Sequence, residues 1–167
     1  MTLQRRLVSE MPRKFVVSDS EQCIGCQVCE YVCSAVKEGG FNPLLSRIRT
    51  VRVEPAFNMS MACRLCEDPT CVKSCPRNAL SKDEKTGIII LDEEKCNGCA
   101  WCIETCEFGA IALHSAKKTM IVCDLCDGDP KCLSYCPTEA LSLKTPEEIS
   151  QKTRKKAIMP LVSRTSE

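Results

Sequence analysis

Cysteine dominates the chemistry available to this sequence of 167 residues. Its sixteen cysteines form four groups of four, which we number motifs 1 to 4 in chain order. Motifs 1 and 3 have the spacing C-x2-C-x2-C-x3-C, whereas motifs 2 and 4 carry an insertion before the third cysteine and end in Cys-Pro. The members are Cys23, Cys26, Cys29 and Cys33; Cys63, Cys66, Cys71 and Cys75; Cys96, Cys99, Cys102 and Cys106; and Cys123, Cys126, Cys132 and Cys136.

This spacing suits iron–sulfur clusters. Three thiolates separated by two residues can wrap three corners of a [4Fe–4S] cubane. The fourth cysteine of each motif, displaced by three residues, points away and ligates a partner cluster, as in two-cluster bacterial ferredoxins. The motifs are therefore expected to act in pairs, and the spacing alone leaves the choice of pairs open.

Other uses of cysteine fit the pattern less well. Residues 1–22 hold no continuous apolar segment of the kind found in secretory signals, which predicts a reducing cytoplasmic compartment and disfavours disulfides. Structural zinc sites join two C-x2-C pairs across a spacer, but here a third cysteine follows the second closely in every motif. We keep a structural zinc protein as the weaker alternative.

Composition excludes several function classes. No cysteine is left over as a nucleophile, no glycine-rich phosphate loop is present and histidine occurs once, so we expect no catalysis by this chain. The net charge of +1 does not indicate a broadly basic nucleic-acid binder, and no apolar run is long enough to span a membrane. Aromatic residues are only 4%, which predicts a small core and folding coupled to cluster assembly.

Short elements are expected to deliver the motifs. Hydrophobic patterning predicts a strand before each motif, at residues 14–17, 47–53, 88–91 and 119–122, and a further strand at 140–143. A helix is predicted over 27–37, and Gly87 indicates a hairpin. Gly25 and Gly98 lie inside cluster loops, where a side chain would crowd the cubane. Acidic residues at 147–148 followed by a basic run predict a C-terminal helix.

Five other residues allow two interpretations each. Trp101 could shield a cubane from water or simply pack as an apolar ring. His114 has no vacant ligand position to fill and is predicted to be a surface or strand residue. Arg47, Arg49 and Arg52 could hold an acidic partner, although strand charges that block edge pairing are the favoured interpretation.

The four motifs resemble a known family. Sixteen ligands in this order, with Cys-Pro closing motifs 2 and 4, are similar to the four-cluster ferredoxin-type electron-transfer subunits of molybdenum and tungsten oxidoreductases, carbon monoxide dehydrogenases and hydrogenases. The resemblance covers roughly residues 15–143. It implies an α+β fold of two bacterial-type 2[4Fe–4S] ferredoxin-like modules, one inserted in the other. Residues 14–55 and 107–143 would form the outer module, 56–106 the inner module, 1–13 an N-terminal extension and 144–167 a helical tail.

The resemblance also implies which cysteines share a cluster. Cluster 1 would take Cys23, Cys26, Cys29 and Cys136; cluster 2 would take Cys123, Cys126, Cys132 and Cys33; cluster 3 would take Cys63, Cys66, Cys71 and Cys106; and cluster 4 would take Cys96, Cys99, Cys102 and Cys75. Sequential pairing of the motifs remains the alternative. Because motif 3 retains all its cysteines, four low-potential [4Fe–4S] clusters are expected.

The implied function is a non-catalytic relay of single electrons. Its catalytic partner would be a tungsten or molybdenum aldehyde oxidoreductase or a related aromatic-ring reductase, then a carbon monoxide dehydrogenase, formate dehydrogenase or hydrogenase. A flavoprotein or ferredoxin would be the second electron carrier, in anaerobic metabolism. A free-standing polyferredoxin shuttle is the alternative.

Overall fold

The computed structural model describes residues 13–53 and 57–163, with backbone alone for 161–163. Most of the predicted N-terminal extension therefore lies outside the described residues. The helices are α1 (Val28–Glu38), α2 (Thr70–Lys73), α3 (Trp101–Glu104), α4 (Lys131–Ser134) and α5 (Pro146–Ser163). The strands are β1 (Phe15–Ser18), β2 (Arg49–Val53), β3 (Phe57–Met61), β4 (Leu80–Lys82), β5 (Ile89–Leu91), β6 (Ile111–Leu113), β7 (Met120–Val122) and β8 (Leu141–Lys144).

The described strands form antiparallel pairs. Three pairs are local hairpins, β2–β3, β4–β5 and β6–β7, and the fourth joins β1 to β8 across most of the chain. All five predicted strands are present with bounds shifted by one or two residues, and the predicted helix is α1. Strands β3, β4 and β6 were not predicted; β4 and β6 have three residues each, which is too short to show alternation.

The core is small and contains cysteine throughout. Its fully buried side chains include Val16, Ile48 and Leu65, and its cluster of buried residues includes six of the cysteines. α1 packs against α4, and α2 packs against α3. Since much of the interior is thiol rather than hydrocarbon, bonds to sulfur must supply stability that apolar burial does not.

The C-terminal helix α5 begins with a capping box. The Thr145 backbone N–H donates to Glu148 Oε2 at 2.7 Å, and the Glu148 N–H donates to Thr145 Oγ1 at 3.2 Å. Further along the helix, Lys152 Nζ lies 2.5 Å from the carboxylate of Asp19. The basic run therefore turns back toward the segment before motif 1. Within the described part of the chain, no helix is long and apolar enough to cross a membrane.

Candidate iron–sulfur sites

The four cysteine loops share one backbone feature. The residue just before the second cysteine has a positive φ in every motif: Gly25 (+66°), Leu65 (+48°), Gly98 (+69°) and Leu125 (+58°). This left-handed residue reverses the chain between two cysteines. Sequence reasoning singled out the glycines and missed the leucines, although aligning the motifs on their first two cysteines places all four residues in register.

Close neighbours explain the glycines in motifs 1 and 3. A Cβ on Gly25 would lie 2.6 Å from Asn58 Oδ1, and one on Gly98 would lie 2.2 Å from the backbone oxygen of Lys118. These contacts belong to β3 and to the turn between β6 and β7. A side chain at either position would thus collide with an adjacent hairpin. This constraint differs from the crowding at the cubane that the sequence suggested.

Backbone N–H groups point at the fourth cysteine of the motifs. Ala79 N donates to Cys75 Sγ at 3.3 Å and Ala110 N donates to Cys106 Sγ at 3.4 Å. Burial raises the pKa of Cys75, but N–H donors of Ala79 and neighbouring residues outweigh it, so the pKa lies below its usual value. Such donors favour the thiolate, which is the form that ligates iron.

Cys136 and Cys33 accept hydrogen bonds from different parts of the chain. Burial raises the pKa of Cys136, and donors from Thr138, Ala140 and the following backbone lower it overall. Cys33 lies inside the longer helix α1, where no such turn follows, and its sulfur accepts instead from Arg47 N at 3.2 Å.

Two cavities bring motifs 2 and 3 together crosswise. A cavity of about 470 Å³ is lined by Cys63, Cys66 and Cys71 of motif 2 together with Cys106 of motif 3. A smaller cavity is lined by Cys96, Cys99 and Cys102 of motif 3 together with Cys75 of motif 2. Each cavity therefore presents three cysteines from one motif and the fourth from the other.

Electrostatic neighbours relate motifs 1 and 4. Burial raises the pKa of Cys132, and the negative charges of Cys123 and Cys33 raise it further. Burial raises the pKa of Cys123 to about 12, with Cys33 again contributing. The charge of Cys33 of motif 1 thus acts on the first and third cysteines of motif 4, in line with the packing of α1 on α4.

The donor set fits [4Fe–4S] clusters better than zinc. Four thiolates and no other ligand type are the usual ligands of such a cluster. A single zinc ion needs sulfurs roughly 3.8 Å apart, from tetrahedral geometry with Zn–S bonds of about 2.3 Å. Among the described residues, no group of three or more Cys, His, Asp or Glu side chains is placed to hold a single metal ion. A cubane, whose four irons lie at separate corners, accepts more widely spaced sulfurs.

Arg64 lies in the loop of motif 2, beside the larger cavity. Its guanidinium carbon is 4.5 Å from the ring centre of Phe15 and 5.5 Å from that of Phe108. Burial lowers the pKa of Arg64, and the negative charge of Cys66 raises it. Sequence reasoning missed this cation, which places positive charge next to a cysteine-lined cavity and joins three segments of the chain.

The structure changes the interpretation of His114 and Trp101. His114 is only 4% exposed and follows β6, so its prediction as a surface or strand residue is wrong. Its Nδ1 accepts from Ala116 and Lys117 N–H groups, and its Nε2 lies 3.3 Å from Glu38 Oε2. Trp101 is 58% exposed on α3, so ordinary packing is wrong, while shielding of a cubane stays a prediction.

The arginines near β2 bind the chain itself. Arg47 pairs with Glu38 at 2.6 Å, Arg49 donates to the carbonyl of Leu44 at 2.6 Å, and Arg52 donates to the carbonyl of Gly25 at 2.9 Å. Arg49 and Arg52 lie on β2 and Arg52 is exposed, so the blocking of edge pairing and the binding of an acidic partner both stay predictions. The three arginines tie α1, the following turn and the motif 1 loop to β2.

Comparisons with known proteins identify the family of the chain. Residues 55–146 match the family described as the 4Fe-4S dicluster domain. The chain is 40% identical over 124 residues to the aliphatic sulfonate oxidoreductase, polyferredoxin-like subunit, of Pyrococcus furiosus, covering 74% of this chain and 72% of the relative. It is 32% identical over 155 residues to the B subunit of the anaerobic dimethyl sulfoxide reductase of Escherichia coli K12, covering 80% and 74%.

A solved structure gives a weaker likeness. The active site complex BamBC of benzoyl coenzyme A reductase is 22% identical over 92% of this chain and 96% of that chain, with a TM-score of 0.47.

Proposed function

The chain belongs to the 4Fe-4S dicluster domain family, and on that premise we propose that it is a non-catalytic subunit relaying single electrons through four [4Fe–4S] clusters. Its relatives are iron–sulfur electron-transfer subunits of oxidoreductase complexes. When bound, each cluster would supply reversible one-electron exchange. The residues of the chain hold the clusters, exclude water and set their potentials.

The observation that carries this proposal is the pair of cavities, each lined by four cysteines drawn from two motifs. They support Cys63, Cys66, Cys71 and Cys106 as ligands of cluster 3, and Cys75, Cys96, Cys99 and Cys102 as ligands of cluster 4. The packing of α1 on α4 and the influence of the Cys33 charge on Cys123 and Cys132 support the same exchange between motifs 1 and 4. Pairing β1 with β8, at the two ends, supports an inner module inserted in an outer one.

Three electrostatic interactions between different ligand sets support a linear order of clusters 1, 2, 3 and 4. The charge of Cys29 acts on Cys132, which relates clusters 1 and 2. The charge of Cys63 acts on Cys123, which relates clusters 2 and 3. Burial raises the pKa of Cys102 to about 11, and the charge of Cys71 adds to this, which relates clusters 3 and 4.

Both ends of this order reach the surface. The two exposed cysteines are Cys26, assigned to cluster 1, and Cys99, assigned to cluster 4. All other cysteines are buried or partly buried. We place electron entry and exit at these two sulfurs, because transfer to a partner requires a short distance from a cluster edge to the protein surface.

Replacing Cys33 tests the exchange of ligands between motifs. Cys33→Ser is expected to perturb the cluster held by motif 4, cluster 2, because the charge of Cys33 acts on Cys123 and Cys132. Electron paramagnetic resonance (EPR) of the reduced protein measures this, with Cys26→Ser as the matched variant that marks cluster 1. A Cys33→Ser spectrum in which only the signal marked by Cys26→Ser changes would contradict the assignment.

For the partner, we propose a molybdenum or tungsten oxidoreductase catalytic subunit in the cytoplasm, with a flavoprotein or ferredoxin as second carrier. The relatives that are oxidoreductase subunits support this partner. The cytoplasm is supported by the sixteen cysteines, because their thiols need a reducing compartment to stay unoxidised. Anaerobic affinity purification with metal analysis tests it. Molybdenum or tungsten in a constant ratio to the chain supports a subunit, whereas a chain isolated alone with its clusters supports the polyferredoxin shuttle.

A further inference from the structure

The β2–β3 hairpin turns a polar face toward motif 1. Thr50 and Ser60 are paired in register across the hairpin. Side chains alternate along a strand, so the neighbouring Val51, Val53 and Phe57 lie on the opposite face, and all three are exposed. Ser60 is 4% exposed. The hairpin thus buries the Ser60 hydroxyl, half-buries Thr50 and leaves apolar side chains outside, which is the reverse of ordinary amphipathic burial.

The buried hydroxyls meet cysteine sulfurs. Ser60 Oγ lies 3.4 Å from Cys29 Sγ and 3.9 Å from Cys23 Sγ. Thr50 Oγ1 lies 3.6 Å from Cys29 Sγ and 3.1 Å from Ser60 Oγ. The backbone N–H of Ser60 donates to Ser18 Oγ at 3.2 Å, which fixes β3 against β1. Two hydroxyls on one rigid hairpin therefore converge on a single sulfur.

The direction of these hydrogen bonds follows from the ligand. A thiolate bound to iron carries no proton, so the hydroxyl must donate. Each hydroxyl has one proton, and the shorter distances favour donation from Thr50 to Ser60 and from Ser60 to Cys29. In such a chain the first bond polarises the second and strengthens it.

The contacts are confined to one proposed ligand set. Within residues 13–53 and 57–160, the hydroxyl–sulfur contacts fall on Cys23, Cys29 and Cys136, the last lying 3.8 Å from Thr138 Oγ1. These cysteines all belong to cluster 1. The other three ligand sets have backbone N–H donors but no hydroxyl contact in that part of the chain.

We propose that Ser60, supported by Thr50, is a positioning residue that raises the reduction potential of cluster 1 through an O–H···S hydrogen bond to Cys29. This inference rests on the proposed function for the existence of cluster 1. Reduction adds negative charge that is shared with the ligand sulfurs, so a donor stabilises the reduced form more than the oxidised form. The hydroxyls thus favour an electron at the end of the relay where Cys26 is exposed.

A redox titration followed by EPR tests the proposal. Ser60→Ala is expected to make cluster 1 harder to reduce by about tenfold in the equilibrium constant, which is 59 mV for one electron. Ser60→Thr keeps a hydroxyl and should retain most of the wild-type potential, while Thr50→Val should shift it in the same direction by less. Electron–nuclear double resonance should also show the loss of an exchangeable proton coupling in Ser60→Ala, which a purely structural role would not produce.

The controls separate this inference from the proposed function. Ser81→Ala removes an exposed hydroxyl from β4 and should leave the cluster 1 potential unchanged. If Ser60→Ala fails to assemble cluster 1, Thr50→Val decides the question. Clusters present in normal amount with an unchanged cluster 1 potential in both variants would overturn the inference, whereas a wild-type protein without clusters would overturn the proposed function.

Discussion

At the scale of the residue, the thiols show two opposing influences. Burial raises the pKa of Cys63 to about 11, whereas backbone N–H donors hold the pKa of Cys75 below its usual value. Deep burial favours a protonated thiol until a cation arrives, so cluster assembly releases protons from sites like Cys63. The sequence predicts every cysteine of the candidate sites from spacing alone. It does not predict their donors, because Ser60 lies 31 residues from Cys29.

Glu38 is another residue whose partners the sequence does not predict. Its side chain is only 13% exposed at the end of α1, where it pairs with Arg47 at 2.6 Å and meets His114 at 3.3 Å. Burial raises the pKa of Glu38, but Arg47, His114 and Lys117 outweigh it and lower the pKa below 4.5. A carboxyl whose pKa is lowered by folding stabilises the folded protein. This stabilisation is complete when the pH is above the pKa of the unfolded state, and it is lost as the pH falls through the pKa of the folded state.

Replacing this carboxylate should weaken the fold. Glu38→Gln leaves the buried Arg47 charge without its partner, and we expect a loss of roughly 2 kcal/mol. Because Glu38 is fully ionised well above pH 4.5, the loss should be the same at pH 7 and pH 9. Anaerobic thermal unfolding followed by visible absorbance measures it.

Glu21→Gln is the matched control, since Glu21 pairs with Lys156 while both side chains stay more than half exposed, and exposed pairs contribute little. Equal losses in Glu21→Gln and Glu38→Gln would contradict the role given to burial.

At the scale of the element, cluster loops and hairpins interlock. Each loop has a left-handed residue before its second cysteine, and the β6–β7 turn fills the space beside Gly98. Positions of strands β1, β2, β5, β7 and β8 follow from hydrophobic patterning in the sequence. The contacts between loop and hairpin cannot be predicted in this way. The neighbour of Gly98 is the backbone oxygen of Lys118, and a sequence pattern does not indicate the position of a backbone atom.

Substitution of Gly98 should distinguish the cost of a steric clash from the cost of a positive φ. Gly98→Ala combines a positive φ with a Cβ only 2.2 Å from Lys118 O, so we expect a cost of roughly 3 kcal/mol or more and loss of cluster 4. Gly109→Ala has a similar φ of +57° but nothing within 4 Å, and should cost only about 1–2 kcal/mol. Iron content and thermal stability of the two variants give the comparison. Similar behaviour of both would show that conformation alone matters.

At the scale of the whole molecule, residues distant in sequence close the fold. Pairing of β1 with β8 joins the first described strand to the last, and α1 on α4 brings motif 1 to motif 4. The family and the α+β character could be predicted from the sequence, because sixteen ordered cysteines leave few other solutions. The proposed nested ligand sets rest on the family resemblance, since spacing within a motif carries no information about which motif is its partner.

Removal of iron should unfold most of this structure. Six cysteines belong to the buried core, and few large apolar side chains remain around them. We expect the apo protein to lack a cooperative thermal transition and to lose most of its native circular dichroism. Anaerobic chelation followed by reconstitution with iron and sulfide should restore both. A native-like spectrum with a cooperative transition in the apo protein would contradict this dependence.

The central claim is that sixteen cysteines hold four [4Fe–4S] clusters that exchange electrons. Iron and acid-labile sulfide per chain, measured on anaerobically purified protein together with EPR after dithionite reduction, test it most directly. Four cubanes predict about sixteen of each, with spin-coupled S = 1/2 signals from neighbouring reduced clusters. Zinc without sulfide, and no signal on reduction, would contradict the claim and leave a structural scaffold.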